Sequence, residues 1–200
     1  HCGFSVPDDI STIHARKDGD YVKSLLDYSL QEQLYLLKSP HVLRFSFVRN
    51  PFTRILSSYR SKVVGQKKHA NIREVIRMRR PKQSDDLPSF SEFIDYIISL
   101  DDNHRDIHWR SQYNILYYDK IDYNFIGRFE HFQNDLHLLG GLLGFDKTLI
   151  GKIREVENPS QGIGFVEAYN KPLADKVYDI YEMDFKTFKY SRNLNDIIYL

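Results

Sequence analysis

"LRFSFVRNPFTRILSSYR", residues Leu43 to Arg60, is the stretch on which the fold turns. Its first part, together with Val42 just before it (Val42 to Val48), alternates as a strand does and is apolar enough to be buried. Arg49 ends that run, and Asn50-Pro51 follows at once. Asn is a favoured helix N-cap and Pro a favoured first helical residue, so a helix is predicted directly after Arg49. In open α/β sheets, ligands sit beyond the carboxyl ends of the strands, which is where Arg49 stands. Its guanidinium is permanently charged and offers a fork of donors matched to a phosphate or carboxylate. Ser57 lies about two turns into the helix, at a rise of roughly 1.5 Å per residue. Arg54, at i−3 from Ser57, lies near the same face. An arginine folded back along the helix would meet the serine hydroxyl around one anion. A surface arginine ahead of a well-capped helix is the alternative that the spacing leaves open.

Outward from this centre the chain alternates strand and helix patterns. His1 to Asp20 reads as loop. Asp20 to Lys38 spaces its leucines as a helix in two pieces broken near Ser29, and Ser39-Pro40 ends it. Gly65 to Leu87 is polar, basic and proline-marked, with a short helix around Ile72 to Met78. Phe90 to Leu100 is an amphipathic helix capped near Ser89 or Ser91. Tyr123 to Phe129 is a second buried strand, and the sequence from Glu130 returns to helix before paired glycines. Gly151 to Gly164 is loop, and Asn170 to Phe188 is one final helix with Asn170 as its cap. This order predicts an α/β fold with a mostly parallel sheet.

A chain of 200 residues, 42% hydrophobic and 28% charged, suits one soluble domain over residues 1–200. The net charge of +1 points to no partner by itself. Its distribution does: between Arg60 and Lys82 stand Arg60, Lys62, Lys67, Lys68, Arg73, Arg77, Arg79, Arg80 and Lys82 against the single acid Glu74. A polyanion is the expected contact, with a solvated basic loop the alternative. Aromatics are not interleaved with these cations, which disfavours a nucleic-acid module. Cys2 is the sole cysteine, so neither an intrachain disulfide nor a thiolate metal site is expected. No His/carboxylate spacing suggests a metal. No apolar run is long enough to span a bilayer, and the only Asn-x-Ser triplet has Pro159 in its middle.

"FVRNPFTRILSSYRSK" resembles the 3′-phosphate-binding motif of sulfotransferases that use 3′-phosphoadenosine 5′-phosphosulfate. The likeness is greatest to the carbohydrate branch that includes the chondroitin and HNK-1 enzymes. Asp106 to Leu136, with His108-Trp109 and the strand "YNFIGRFE", and Val177 to Tyr190 resemble later segments of that branch, in order. The resemblance implies a P-loop-like fold with a central, mostly parallel sheet flanked by helices. It implies transfer of a sulfuryl group from the adenosine donor to a carbohydrate hydroxyl, without a metal. Arg49 and Ser57 match the residues that bind the 3′-phosphate, and Arg54 and Tyr59 match supporting positions. His14 and His108 are the candidate bases, because histidine's ordinary pKa of about 6.5 suits proton transfer. Lys67, Lys68 and Arg73 are the candidate contacts to an acidic oligosaccharide or polysaccharide. Glu130 is expected to be a structural carboxylate at the strand end.

The family's earlier strand–loop–helix, whose lysine and amides cradle the 5′-phosphosulfate, has no counterpart before Ser39, and a relative without enzymatic activity is the competing expectation. Tyr117 and Asp119 stand where the branch often has paired cysteines. That favours the cytoplasm, with the Golgi lumen of animal members as the alternative.

Overall fold

The computed structural model describes residues 24–65, 70–80, 86–145 and 165–197. Its contacts divide the chain into two compact units, His1–Val42 and Leu43–Leu200. In the first, a 3-10 turn (Leu25–Asp27) precedes helix α1 (Leu30–Lys38). Each opens with a reciprocal capping box, Ser24 with Asp27 and Ser29 with Glu32. The expected break near Ser29 is therefore there: Tyr28 closes the 3-10 turn and Ser29 caps α1.

In the second unit, β1 (Phe45–Val48) and β2 (Phe125–Arg128) pair in parallel, with Phe47 opposite Gly127 and Val48 opposite Arg128. The register explains the glycine in "FIGRF": a Cβ at Gly127 would run into the Phe47 ring. That ring is held between Phe125, 6.1 Å away, and Phe132, 5.1 Å away, so it has little room to yield. Among the described residues the sheet has these two strands.

Helix α2 (Pro51–Ser58) begins as predicted, with the Asn50 side chain accepting from the Phe52 amide at 2.9 Å. It passes without a break into a π-helical turn, Tyr59–Val64, which local propensity did not foretell. Arg73 closes that turn from outside, donating to the carbonyls of Val63 (2.6 Å) and Val64 (3.1 Å). Helix α3 (Ala70–Arg77) carries it, two residues ahead of the expected start. Helix α4 (Phe90–Ile98) is capped by Ser89 in a box with Glu92.

A long turn leads to the single-turn helix α5 (Gln112–Ile115). After β2 come a 3-10 turn and α6 (Phe132–Leu142). The short α7 (Phe165–Ala168) follows, then α8 (Lys171–Ile180), which Asn170 caps as expected. The final helix is not continuous: Tyr181 breaks it at φ −114°, ψ 25°, and α9 (Glu182–Thr187) follows. Two buried polar anchors surround the break. The Tyr181 hydroxyl donates to the Trp109 carbonyl at 2.6 Å. The Asp184 carboxylate accepts the amides of Gln112 (2.8 Å) and Tyr113 (2.7 Å) and so caps α5. Such tertiary bonds override the local helical pattern.

The core is the space enclosed by α2, α4 and α8, with α9 closing one side. Phe52 from α2, Phe93, Ile94 and Ile97 from α4, and Val177 from α8 are fully covered. Each such side chain contributes about 1.5–3 kcal/mol through its removal from water. The consequence for function is that α2 is gripped on its apolar face and at its buried first turn, Pro51 to Thr53, while Arg54, Ser57 and Ser58 remain half-buried on its polar side.

Candidate functional site

Arg49 leaves the carboxyl end of β1 and turns onto α2. Gln112 fixes its backbone from both sides: Oε1 accepts the Arg49 amide at 2.8 Å, and Nε2 donates to the Arg49 carbonyl at 2.8 Å. The Arg49 Nε donates to Thr53 Oγ1 at 3.1 Å, so the side chain folds back along the helix. Thr53 and Ser57 are one turn apart on that face. Because helical Cβ atoms tilt toward the N-terminus, the Ser57 hydroxyl overlies the turn that bears Thr53. That hydroxyl makes no hydrogen bond among the described residues. The Arg49 guanidinium stands 4.9 Å over the Phe129 ring, within cation–π range. Burial lowers its pKa from the ordinary value, while Glu130 opposes that shift. It stays charged at neutral pH.

Glu130 ties this corner together. One carboxylate oxygen accepts the Asn50 amide at 2.6 Å, and the other accepts the Tyr190 hydroxyl at 3.0 Å. Arg128 covers the Tyr190 ring at 4.9 Å and donates to the Phe188 carbonyl at 2.8 Å. The expected structural role of Glu130 is thus what the geometry describes. Burial, then Glu130, raises the Tyr190 pKa, so this phenol stays protonated as a donor.

The turn that carries His108 is locked to the other polar face of α2. Arg54 donates to the carbonyls of Arg110 (2.8 Å) and Ile107 (2.9 Å), and Ser58 donates to the His108 carbonyl at 2.8 Å. Arg54 is therefore a supporting residue, and so is Tyr59, which donates to the Pro88 carbonyl at 2.7 Å. Trp109 is buried beneath, its ring 5.5 Å from Phe93. His108 faces outward with its side chain 42% exposed. Its Nδ1 meets Asp106 Oδ1 at 2.5 Å, and the same oxygen accepts the His108 amide at 2.9 Å.

The basic stretch is more tied down than its charge count implied. Arg80 grips Glu92 through Nε (2.6 Å) and Nη2 (3.0 Å). Arg79 lies 4.9 Å over the Tyr96 ring and donates to the Ser99 hydroxyl. Arg77 reaches the Asp86 carbonyl at 3.2 Å. These guanidiniums join α3 and the segment before α4 to α4 itself.

Of the residues singled out from sequence, Arg49 and Ser57 share one face of α2, and His108 is bound to the same helix through Ser58. Arg73 closes the π-helical turn. His14, Lys67 and Lys68 lie outside the described residues. Sequence reasoning passed over Gln112, Thr53 and Asp106. Thr53 was within reach as the residue midway between Arg49 and Ser57, and Asp106 through its spacing of two from His108. Gln112 carried no signal, since its partner is 63 positions away.

Residues 5–191 match the family described as the sulfotransferase family. The chain is similar to carbohydrate sulfotransferase 11 of Rattus norvegicus, with 28% identity over 190 residues, covering 85% of this chain and 52% of the relative. It is also similar to carbohydrate sulfotransferase 8 of Homo sapiens (27% over 208 residues, 94% and 47%). A third relative is carbohydrate sulfotransferase 14 of Homo sapiens (31% over 118 residues, 56% and 31%). The chain thus spans about half the length, or less, of these curated relatives. No solved structure matches it.

Proposed function

Since the chain belongs to the sulfotransferase family, we propose that it takes part in moving a sulfuryl group from 3′-phosphoadenosine 5′-phosphosulfate to a carbohydrate hydroxyl by in-line attack. The observation that carries this reading is the course of Arg49, folded along α2 through Thr53 toward the Ser57 turn. A guanidinium and a serine hydroxyl make a donor set suited to a phosphate dianion. In this reading Arg49 and Ser57 hold the 3′-phosphate, Gln112 keeps the Arg49 backbone in place, and Glu130 holds the amide of the next residue, Asn50. When bound, the donor supplies the activated sulfuryl group and a bisphosphate leaving group. The chain's own residues orient it and stabilise charge, as in other group transfers where positioning dominates.

His108 and His14 are the candidate bases. Lys67, Lys68 and Arg73, from the basic stretch, are the candidate contacts to an acidic glycan. The β1–β2 pair belongs, in this reading, to the central, mostly parallel sheet of a P-loop-like fold, and both units to one sulfotransferase domain. The compartment is the cytoplasm, with the Golgi lumen as the alternative. The names of the relatives, all carbohydrate sulfotransferases, favour a sugar acceptor.

The test is transfer of radiolabelled sulfate by the intact gene product from the adenosine donor to a panel of desulfated and acidic polysaccharides. Label incorporated into at least one glycan is expected. Incorporation into none, by a folded protein that binds adenosine 3′,5′-bisphosphate, would favour the competing reading of a nonenzymatic relative.

A further inference from the structure

The His108 turn holds more order than a surface histidine needs. Three hydrogen bonds from α2, two from Arg54 and one from Ser58, fix the carbonyls of Ile107, His108 and Arg110. Trp109 anchors the turn from below, and its carbonyl accepts the Tyr181 hydroxyl at 2.6 Å. Within that frame, Asp106 Oδ1 receives both the His108 amide (2.9 Å) and the ring Nδ1 (2.5 Å). The side chains of Asp106 and His108 are 47% and 42% exposed, so neither is needed to fill the core. The Asp106 carboxyl lies below its ordinary pKa: burial pushes it up, but the two His108 contacts and the nearby Lys62 outweigh that. Lys62 reaches this place from the π-helical turn that continues α2.

A carboxylate can meet a neutral imidazole only at a ring nitrogen that bears hydrogen. The contact therefore assigns the proton to Nδ1 and leaves the Nε2 lone pair as an acceptor. We propose that Asp106 is a positioning residue that fixes His108 in the Nδ1–H tautomer, so that Nε2 receives the hydroxyl of the acceptor sugar. This deepens the sulfotransferase reading and rests on it. The acceptor oxygen gives its proton to Nε2 as its lone pair forms the new S–O bond. The bond from sulfur to the 5′-phosphate oxygen breaks, and its electron pair stays on the departing bisphosphate. The imidazolium then releases its proton to solvent. The clamp at Arg49 and Ser57 and the His108 turn are both referenced to α2, so one rigid element sets donor and base.

Two measurements test this. The first is the histidine ¹⁵N spectrum of the ¹⁵N-labelled chain at pH 8.5. His108 is expected as the Nδ1–H tautomer, and Asp106→Ala is expected to shift it to Nε2–H, while Asp106→Asn keeps an oxygen acceptor and retains Nδ1–H. The second is turnover of the intact gene product on the polysaccharide that gave label. Asp106→Ala should lower kcat about 100-fold by misplacing the base, with the donor KM within about twofold. His108→Ala should lower kcat by about 10²–10⁴-fold. Adding Asp106→Ala to His108→Ala should then cost nothing further, because a residue acting through another has no effect once that other is gone. A wild-type Nε2–H tautomer overturns the proposal, and so does a D106A penalty that adds in full to that of H108A. Absence of turnover on every glycan refutes the functional reading instead, and the tautomer then decides the Asp106–His108 arrangement alone.

Discussion

Replacing Glu130 by alanine should loosen the corner that aims Arg49, and its cost can be worked from the bonds. The carboxylate takes the Asn50 amide at 2.6 Å and the Tyr190 hydroxyl at 3.0 Å. Asn50 is 1% exposed and Tyr190 8% exposed, so water reaches neither donor freely. A hydrogen bond to a charged group contributes about 1.5–3 kcal/mol, and a buried donor left without one loses about 1–3 kcal/mol. Glu130 itself is only half-buried, so water entering the vacated space recovers part of two such losses. The expected net is about 2–4 kcal/mol, in the range where single substitutions become diagnostic. In a chain of this size that lowers Tm by about 6–12 °C. Glu130→Gln should cost less than half as much, because its carbonyl oxygen still serves Asn50 and its NH₂ can donate to the Tyr190 oxygen. Urea unfolding followed by circular dichroism reads both variants. The reasoning fails if Glu130→Ala lies within 0.5 kcal/mol of wild type, a threshold set by the spread of ordinary surface substitutions at about that size. It fails equally if the glutamine variant is the worse of the two.

Three further outcomes follow from the same geometry. Gly127→Ala forces a Cβ against the Phe47 ring and should destabilise by about 1–3 kcal/mol as an overpacked core site; the double variant Gly127→Ala with Phe47→Leu should recover much of it in urea unfolding. Glu92 is held down to about 2 from its ordinary 4.5, chiefly by its hydrogen bond to Arg80 and then by the Ser89 amide. A depressed carboxyl contributes stability that is present above pH 4.5 and is lost as pH falls through about 2. Glu92→Gln should therefore lower Tm by about 2–4 °C at pH 7 and by much less at pH 2, where the folded carboxyl is about half protonated, and a loss that grows on acidification would contradict the assignment. Asn50→Ala removes the cap on α2 and should cost about 0.5–2 kcal/mol, whereas Asn50→Ser, which keeps a capping oxygen without burying a charge beside Glu130, should cost less; equal losses would mean that the cap bond is not what Asn50 supplies.

Local chemistry made the caps legible: Asn50, Ser89 and Asn170 each start a helix through a bond within three residues of themselves. The Arg49–Ser57 face of α2 was legible for the same reason, since helical spacing alone places its members. What escaped depends on partners far away in the chain. The π-helical turn is finished by Arg73, about ten residues on. The break at Tyr181 lies among bonds that reach 71 and 72 positions back to Trp109, Gln112 and Tyr113. The basic stretch misled in one respect, because charge count says nothing of direction: Arg77, Arg79 and Arg80 turn toward carbonyls, Glu92 and Tyr96. Gln112 is the most instructive omission, an uncharged side chain that no motif marks and that holds the arginine on which the site is built.

The central claim is that Arg49 holds the 3′-phosphate of an adenosine nucleotide, and calorimetry with two ligands tests it most directly. Adenosine 3′,5′-bisphosphate and adenosine 5′-monophosphate differ only in the 3′-phosphate. Each would be titrated into the intact gene product and into its Arg49→Ala variant. The account predicts that the variant loses about 1.5–3 kcal/mol for the bisphosphate, tenfold or more in Kd, and nothing for the monophosphate. Equal losses for both ligands, or none for the bisphosphate, would contradict it.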